Sequence, residues 1–141
     1  MTDDRTPEQR SANMRAVHAK DTAPELFVRS MLYRLGYRFR LHLRTLPGAP
    51  DIVFPGRKRV IFIHGCFWHG HDCARGQLPT SNVAFWEGKI HGNKKRDARV
   101  TQQLESEGWT VLTIWQCETK DVAELEQRLV RFLALANNEG Q

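Results

Sequence analysis

The segment VIFIHGCFWHGHDC, residues 60–73, restricts the folds open to this chain more than any other part of its sequence. It begins with four apolar residues, as a strand buried in a sheet does, and continues with three His and two Cys within ten positions. Side chains of these types, placed together in a chain of cytoplasmic character, indicate metal binding or catalysis. The segment therefore predicts a functional site at the end of a buried strand.

The cysteines predict a zinc site. Cys66, His71 and Cys73 lie within eight residues, and the third cysteine of the chain, Cys117, follows the apolar stretch WTVLTIW. Three Cys and one His form a common tetrahedral ligand set for Zn²⁺, with no position open to substrate. We therefore predict a structural ion. His69 is an alternative to His71 as the ligand, and Cys117 taken alone also fits a buried core thiol.

Apolar periodicity predicts the order helix, three strands, helix, strand, helix. The predicted helices lie in DTAPELFVRSMLYRLG (capped by Asp21 or Thr22), from Asn82 to about Glu107, and from Asp121 to about Ala136; the strands are YRFRLHL, DIVF, RVIFIH and WTVLTIW. In the middle helix, the residues predicted to face inward are Phe85, Trp86, Ile90, Val100 and Leu104. The order predicts an α/β fold with a mixed central sheet flanked by helices.

The first twenty residues differ from the rest of the chain. They are polar, and Met14 and Val17 form an apolar stripe too narrow for a core helix. We therefore divide the 141 residues into an N-terminal arm, 1–20, and one domain, 21–141. The start MTDDRTPEQR resembles neither a secretory signal nor a transit peptide. No stretch is apolar enough for a membrane span, so we expect a cytoplasmic protein without membrane partners.

A second constellation surrounds the strand DIVF. Asp51 begins this strand and His64 ends its predicted hairpin partner, so the hairpin brings the two residues close together. A carboxylate beside a main-chain carbonyl suits Mg²⁺, which prefers oxygen ligands. His64 or the following His69 is then placed to act as a general base. Taken singly, each residue also fits a structural role. A net charge of +5, with basic clusters such as KIHGNKKRDAR, favours a face that contacts phosphates.

Five segments together resemble the very short patch repair endonucleases, which nick DNA at T:G mismatches left by deamination of 5-methylcytosine. They are SANMRAVHAKDTAPE, LPGAPDIVF, VIFIHGCFWHGHDC, FWEGKIHGNKKRD and LESEGWTVLTIWQCE, and they span roughly residues 10–118. The family belongs to the PD-(D/E)XK nuclease superfamily, so the resemblance implies a restriction-endonuclease-like fold. Where the superfamily has an acid-x-Lys motif, this chain has Ile63, His64 and Gly65.

The resemblance also implies roles for individual residues. Asp51 and the main-chain carbonyl of Ile63 would bind Mg²⁺, and His69 would be the general base. Position 63 is usually Thr in the family, and Ile retains the carbonyl but not the hydroxyl. Glu25, His64 and Asp97 would support the site. Cys66, His71, Cys73 and Cys117 would bind zinc.

Two aromatic residues, Phe67 and Trp68, stand among these ligands in a polar loop. An arbitrary Phe–Trp pair is more often part of a core, but leaving two such rings exposed without a use is unfavourable. Apolar side chains inserted between base pairs unstack DNA, and a mismatch opens at lower cost. The resemblance implies this intercalating role for Phe67, Trp68 and Trp86, with Met14 entering from the other side of the duplex.

We therefore predict a bacterial, Mg²⁺-dependent DNA repair endonuclease with a structural zinc, nicking one strand 5′ to the mismatched T. One mismatch requires one copy, which favours a monomer, and repair proteins are the expected protein partners. Two alternatives remain: a zinc-bearing DNA-binding module without catalysis, and a nuclease that cuts both strands. A His-Asn-His nuclease is disfavoured because its ββα-metal pattern lacks the three-Cys, one-His set.

Overall fold

A computed structural model describes residues 22–139. The arm predicted for residues 1–20, including Met14, lies outside this range. The elements within it follow the predicted order: α1 (Ala23–Arg34), β1 (Arg40–Leu41), β2 (Ile52–Phe54), β3 (Arg59–His64), α2 (Val83–Ser106), β4 (Thr110–Trp115) and α3 (Val122–Glu139). Within residues 22–139, none of the helices is long and apolar enough to cross a membrane.

The four strands form one mixed sheet in the order β1-β2-β3-β4. β1, β2 and β3 pair antiparallel, and β4 runs parallel to β3 with His64 opposite Trp115. The mixed sheet predicted from the sequence is therefore confirmed. The predicted strand YRFRLHL is much shorter than expected, because His42 adopts a left-handed conformation with φ +47° directly after β1.

Helices cover both faces of the sheet. The alternation of side chains along a strand turns Ile52 and Ile61 to one face and Val53 and Val60 to the other. On the first face, α1 and α3 pack six fully buried apolar side chains against the sheet: Val28, Met31, Leu32, Leu125, Leu129 and Leu133. On the second face Leu104 of α2 packs on Val53, Val60 and Phe62. The result is a three-layer α/β/α arrangement.

Helix α1 begins where the sequence suggests. The Oγ1 atom of Thr22 accepts a hydrogen bond from the main-chain N–H of Glu25 at 3.4 Å, so Thr22 is the cap. Pro24 lies in the first turn, where it removes no helical hydrogen bond. The chain leaves the helix through Gly36, whose φ of +93° is tolerated by glycine. This start places the Glu25 side chain in the interior.

Helix α2 differs from its prediction at its first turns. Asn82 precedes the helix with φ +56°, and within residues 22–139 its side chain makes no capping hydrogen bond. Ile90 and Leu104 are buried as predicted, whereas Phe85 is 61% exposed, so its predicted core position is wrong. The reason is that the C-terminal half of α2 packs on the sheet, while its N-terminal half covers the irregular segment that follows β3.

Candidate active site and metal centre

The irregular segment 65–82 joins β3 to α2 and carries most of the predicted site. Hydrogen bonds within the segment and with α2 hold it in place. The N–H of His69 donates to the Gly65 carbonyl at 3.2 Å, and Nδ2 of Asn93, on α2, donates to the Trp68 carbonyl at 2.8 Å. Between this segment, α2 and the start of β2 lies a cleft of about 440 Å³. Asp51, Ile63, His64, Trp68, His69 and Asp97 all line it.

Asp51 lies directly before β2 and faces the end of β3, as the hairpin pattern predicts. Its Oδ2 accepts a hydrogen bond from the main-chain N–H of Ile63 at 2.7 Å. Burial raises the pKa of Asp51 to about 6, because a carboxylate away from water is disfavoured. The hydrogen bond from Ile63 and electrostatic interactions with His42, His69 and Arg29 lower the pKa of Asp51 and limit the rise.

His64, the last residue of β3, and His69, in the irregular segment after it, stack face to face. The ring centroids of His64 and His69 are 3.8 Å apart and the rings are nearly parallel, at 2°. Nδ1 of His69 lies 2.6 Å from Oδ2 of Asp97, which α2 contributes. A carboxylate at Nδ1 holds the proton on that nitrogen, so Nε2 carries the lone pair that a general base requires. The structure thus brings together three of the predicted site residues.

Glu25 reaches the same region from α1, through two residues that the sequence analysis missed. Nε2 of His42 lies 2.7 Å from Oε2 of Glu25 and 3.8 Å from Oδ1 of Asp51. The Arg29 guanidinium also contacts Oε2 of Glu25. Since Glu25 is only 2% exposed, its charge needs such partners. His42 directly follows the strand that pairs with the Asp51 strand, and this pairing was the signal available in the sequence.

The four predicted zinc ligands lie together. Single donor atoms of Cys66, His71, Cys73 and Cys117 fall within 4.8 Å of one another. Nδ1 of His71 is 3.5 Å from Sγ of Cys117, and the N–H of Cys117 donates to Sγ of Cys66 at 3.4 Å. His69, the alternative ligand, instead contacts Asp97. The geometry therefore groups His71 with the three cysteines.

This donor set fits Zn²⁺. Burial raises the pKa of the Cys66 thiol to about 12, because the thiolate is disfavoured away from water. A cation held by three sulfurs and an imidazole would stabilise the thiolate. Close packing shapes the loop: a Cβ at Gly76 would collide with the His71 carbonyl oxygen, and that oxygen accepts a hydrogen bond from the N–H of Cys73 at 2.9 Å.

The predicted intercalating rings form one cluster, and one of them, Trp68, lines the cleft. The ring centroid of Phe67 lies 5.1 Å from that of Trp68 and 5.3 Å from that of Trp86, and the centroids of the two Trp rings are 6.0 Å apart. All three are half-buried. The fourth predicted residue, Met14, lies outside residues 22–139. Among the basic residues, Arg44, Lys89 and Arg96 line the cleft.

Comparison with known proteins agrees with this geometry. Residues 2–75 match the family described as DNA mismatch endonuclease Vsr. The chain is 53% identical over 133 residues to the type II nicking enzyme V.XorIIP of Xanthomonas oryzae pv. oryzae, covering 94% of this chain and 98% of the relative. It is 44% identical over 108 residues to the DNA mismatch endonuclease Vsr of Escherichia coli, covering 77% and 69%.

A solved structure shows the same fold. The catalytic domain of the homing endonuclease I-Bth0305I superposes with a TM-score of 0.56, covering 82% of this chain and 98% of the other, at 22% sequence identity. At that identity the similarity concerns the fold alone. It agrees with the restriction-endonuclease-like architecture predicted from the sequence.

Proposed function

This chain belongs to the Vsr family of DNA mismatch endonucleases and is a DNA-cleaving hydrolase, and we propose that it nicks one strand 5′ to the mismatched T of a T:G pair, in a reaction that depends on Mg²⁺. The observation that carries this proposal is the convergence of Asp51, the stacked pair His64 and His69, and Asp97 on one cleft. One mismatch requires one copy, so the proposed working form is a monomer in the bacterial cytoplasm.

Asp51 and the main-chain carbonyl of Ile63 are the proposed ligands of Mg²⁺. The N–H of Ile63 already points at Asp51, and the N–H and C=O of one strand residue point to the same side. This strand geometry supports a position of the Ile63 carbonyl on the same side as the carboxylate, whatever the side chain at position 63. When bound, Mg²⁺ would supply charge that stabilises the transition state at the scissile phosphate.

His69 is the proposed general base. Its contact with Asp97 at 2.6 Å fixes the ring orientation and leaves Nε2 to accept a proton from the attacking water. His64 is stacked on His69 and buried, which limits the positions that the His69 ring can take. Glu25 is proposed to support Asp51 through His42, which lies between the two carboxylates.

The rings of Phe67, Trp68 and Trp86 support mismatch recognition. A cluster of three aromatic rings, one of which lines the cleft of the proposed nuclease site, is suited to enter a base step. Unstacking costs a few kcal/mol, and less where the pair is already mismatched. This difference would favour mismatched pairs over matched ones. The zinc ligands are proposed to hold the ring-bearing loop in shape.

Nicking assays with and without Mg²⁺, on matched, T:G and other mismatched duplexes labelled on each strand, test the proposal. We expect Mg²⁺-dependent cleavage of the T-containing strand alone, 5′ to the mismatched T, and a loss of at least about a hundredfold for Asp51→Ala, because a charge-stabilising group is removed. The control is His91→Ala, an exposed histidine of α2.

The outcomes separate the alternatives. A DNA-binding module would bind the T:G duplex equally well with Asp51→Ala and show no Mg²⁺ requirement. The second alternative, a nuclease of the restriction type, would cut both strands or cleave matched and mismatched duplexes alike. Cleavage of a randomised library around a fixed T:G pair, mapped by sequencing, would then define the flanking bases that the enzyme reads.

A further inference from the structure

Phe85 is an exposed aromatic residue without a role in the site described above. It lies in the first turn of α2 and is 61% exposed, although it is as apolar as the rings of the core. Val83, in the same turn, is 41% exposed. Apolar side chains grouped at a helix start are unfavourable in water unless a partner covers them. Phe85 is therefore a candidate for an intermolecular contact.

The helical spacing places Phe85 on the face of α2 that lines the cleft. The residues of α2 that line the cleft include Lys89, Asn93, Arg96 and Val100, spaced by four, three and four positions. Residues three and four apart lie on the same face of a helix. Counting four positions back from Lys89 gives Phe85, about 6 Å further along the axis. Phe85 thus continues the cleft-lining stripe beyond its outer end.

Phe85 also extends the aromatic cluster. Its ring centroid lies 5.1 Å from that of Trp86, at an angle of 77°. Trp86 contacts Phe67 at 5.3 Å in turn, so a continuous row of rings runs from the irregular segment to the start of α2. Phe85 is the most exposed member of this row, because Phe67, Trp68 and Trp86 are half-buried.

We propose that Phe85 contacts the DNA beside the opened step, stacking on a base or packing on the sugar next to it. Every base presents an aromatic face, and stacking on it does not require a particular sequence. The neighbouring Lys89 supplies positive charge for the phosphates on the same helix face. This inference rests on the proposed function, since it assumes that the row of rings meets DNA.

Fluorescence anisotropy with a T:G duplex, measured on an Asp51→Ala background so that the DNA stays intact, tests the contact. We expect Phe85→Ala and Phe85→Leu to raise the Kd roughly fivefold or more, the effect of losing one base-stacking ring, and Phe85→Tyr to restore it. In the nicking assay with Asp51 present, KM should rise while kcat stays within about twofold, because Phe85 lies outside the reacting centre.

The control is Tyr33→Ala, which removes a ring that is 64% exposed from α1, on the opposite face of the sheet. It should leave the Kd unchanged. If Phe85 only supports Trp86, Phe85→Leu will bind like the parent, since Leu retains an apolar contact, and the inference is overturned. It is also overturned if the parent protein proves to self-associate in solution and Phe85→Ala removes that association without affecting DNA binding.

Failure of the inference and failure of the proposed function give different results. A parent protein that nicks T:G duplexes selectively, but whose Phe85→Ala variant binds them normally, contradicts the Phe85 contact alone. A parent protein that does not distinguish T:G from matched duplexes contradicts the proposed function, whatever the Phe85 variants do.

Discussion

Asp51 shows how a single side chain is prepared for its role. Its carboxylate is largely removed from water, yet it accepts the Ile63 N–H and lies near His42. Burial is the largest influence and raises the pKa to about 6, so the metal-free protein keeps a carboxylate that ionises reluctantly. A cation beside it would reverse this preference, because it stabilises the charged form.

This raised pKa makes the stability of the metal-free protein depend on pH. The pKa of Asp51 is higher in the folded protein than in the unfolded chain. The contribution of Asp51 to the free energy of unfolding is therefore complete below about pH 4 and is lost as the pH rises through about 6. Asp51→Asn removes the charge and keeps an oxygen for the Ile63 N–H. We expect its free energy of unfolding, relative to the parent, to increase by about 2 kcal/mol between about pH 4 and pH 7.

Urea denaturation at a series of pH values, without divalent cations, measures this difference. Glu126→Gln, which neutralises an exposed carboxylate on α3, is the control and should show no comparable trend. A constant difference between Asp51→Asn and the parent across this pH range would contradict a buried, reluctantly ionising Asp51.

Among the elements, segment 65–82 depends most on contacts outside itself. It contains one short helical turn, Ala74–Gly76, and is positioned by α2 and by the cysteine of the turn after β4. The ligand set joins the segment to that turn, across an interval of more than forty residues. A metal at this point would therefore act as a cross-link between two parts of the fold.

Replacing one ligand should accordingly destabilise the protein. We expect Cys73→Ser to lower the free energy of unfolding by about 3 kcal/mol or more, as the loss of a structural cross-link does, and to reduce bound zinc below one ion per chain. Thermal denaturation and elemental analysis measure both. Asp72→Asn, the exposed neighbour in the same segment, is the control. Full stability with one zinc per chain in Cys73→Ser would remove Cys73 from the site.

Within residues 22–139, the features suited to DNA binding lie together on the α2 side of the molecule. The cleft, the row of rings and three basic residues, Arg44, Lys89 and Arg96, lie on the α2 side of the sheet or at its end. The layer formed by α1 and α3 covers the other side. With a formal net charge of +5, the chain is suited to a phosphate backbone.

The salt dependence of DNA binding should report this charge distribution. If Lys89 and Arg96 each neutralise a phosphate, replacing either by Ala should reduce the slope of log K against log salt by about one, because one fewer counterion is released. Arg131→Ala, on α3 in the opposite layer, should leave the slope unchanged. Equal slopes for all three variants would contradict DNA binding on the α2 side.

Much of the fold could be predicted because it depends on local patterns. The buried strand β3 matches its predicted bounds, and the alternation of its residues explains both packed faces. Predictions were wrong where tertiary packing overrides periodicity. Phe85 has the spacing of a core residue, but the N-terminal half of α2 packs on segment 65–82 and leaves this ring exposed.

The sequence alone determined the order of the elements and the close spacing of Cys66, His71 and Cys73, since each depends on residues near one another in the chain. The mixed sheet was predicted from that order, although its parallel pair, β3 and β4, is separated in the chain by α2. The resemblance implied that Glu25 and Asp51 share one site, but only the tertiary structure placed His42 between them. It also paired His69 with Asp97, and so separated it from the cysteines. These contacts depend on how α1 and α2 pack against the sheet, and side-chain packing between distant segments leaves no periodic signal in one sequence.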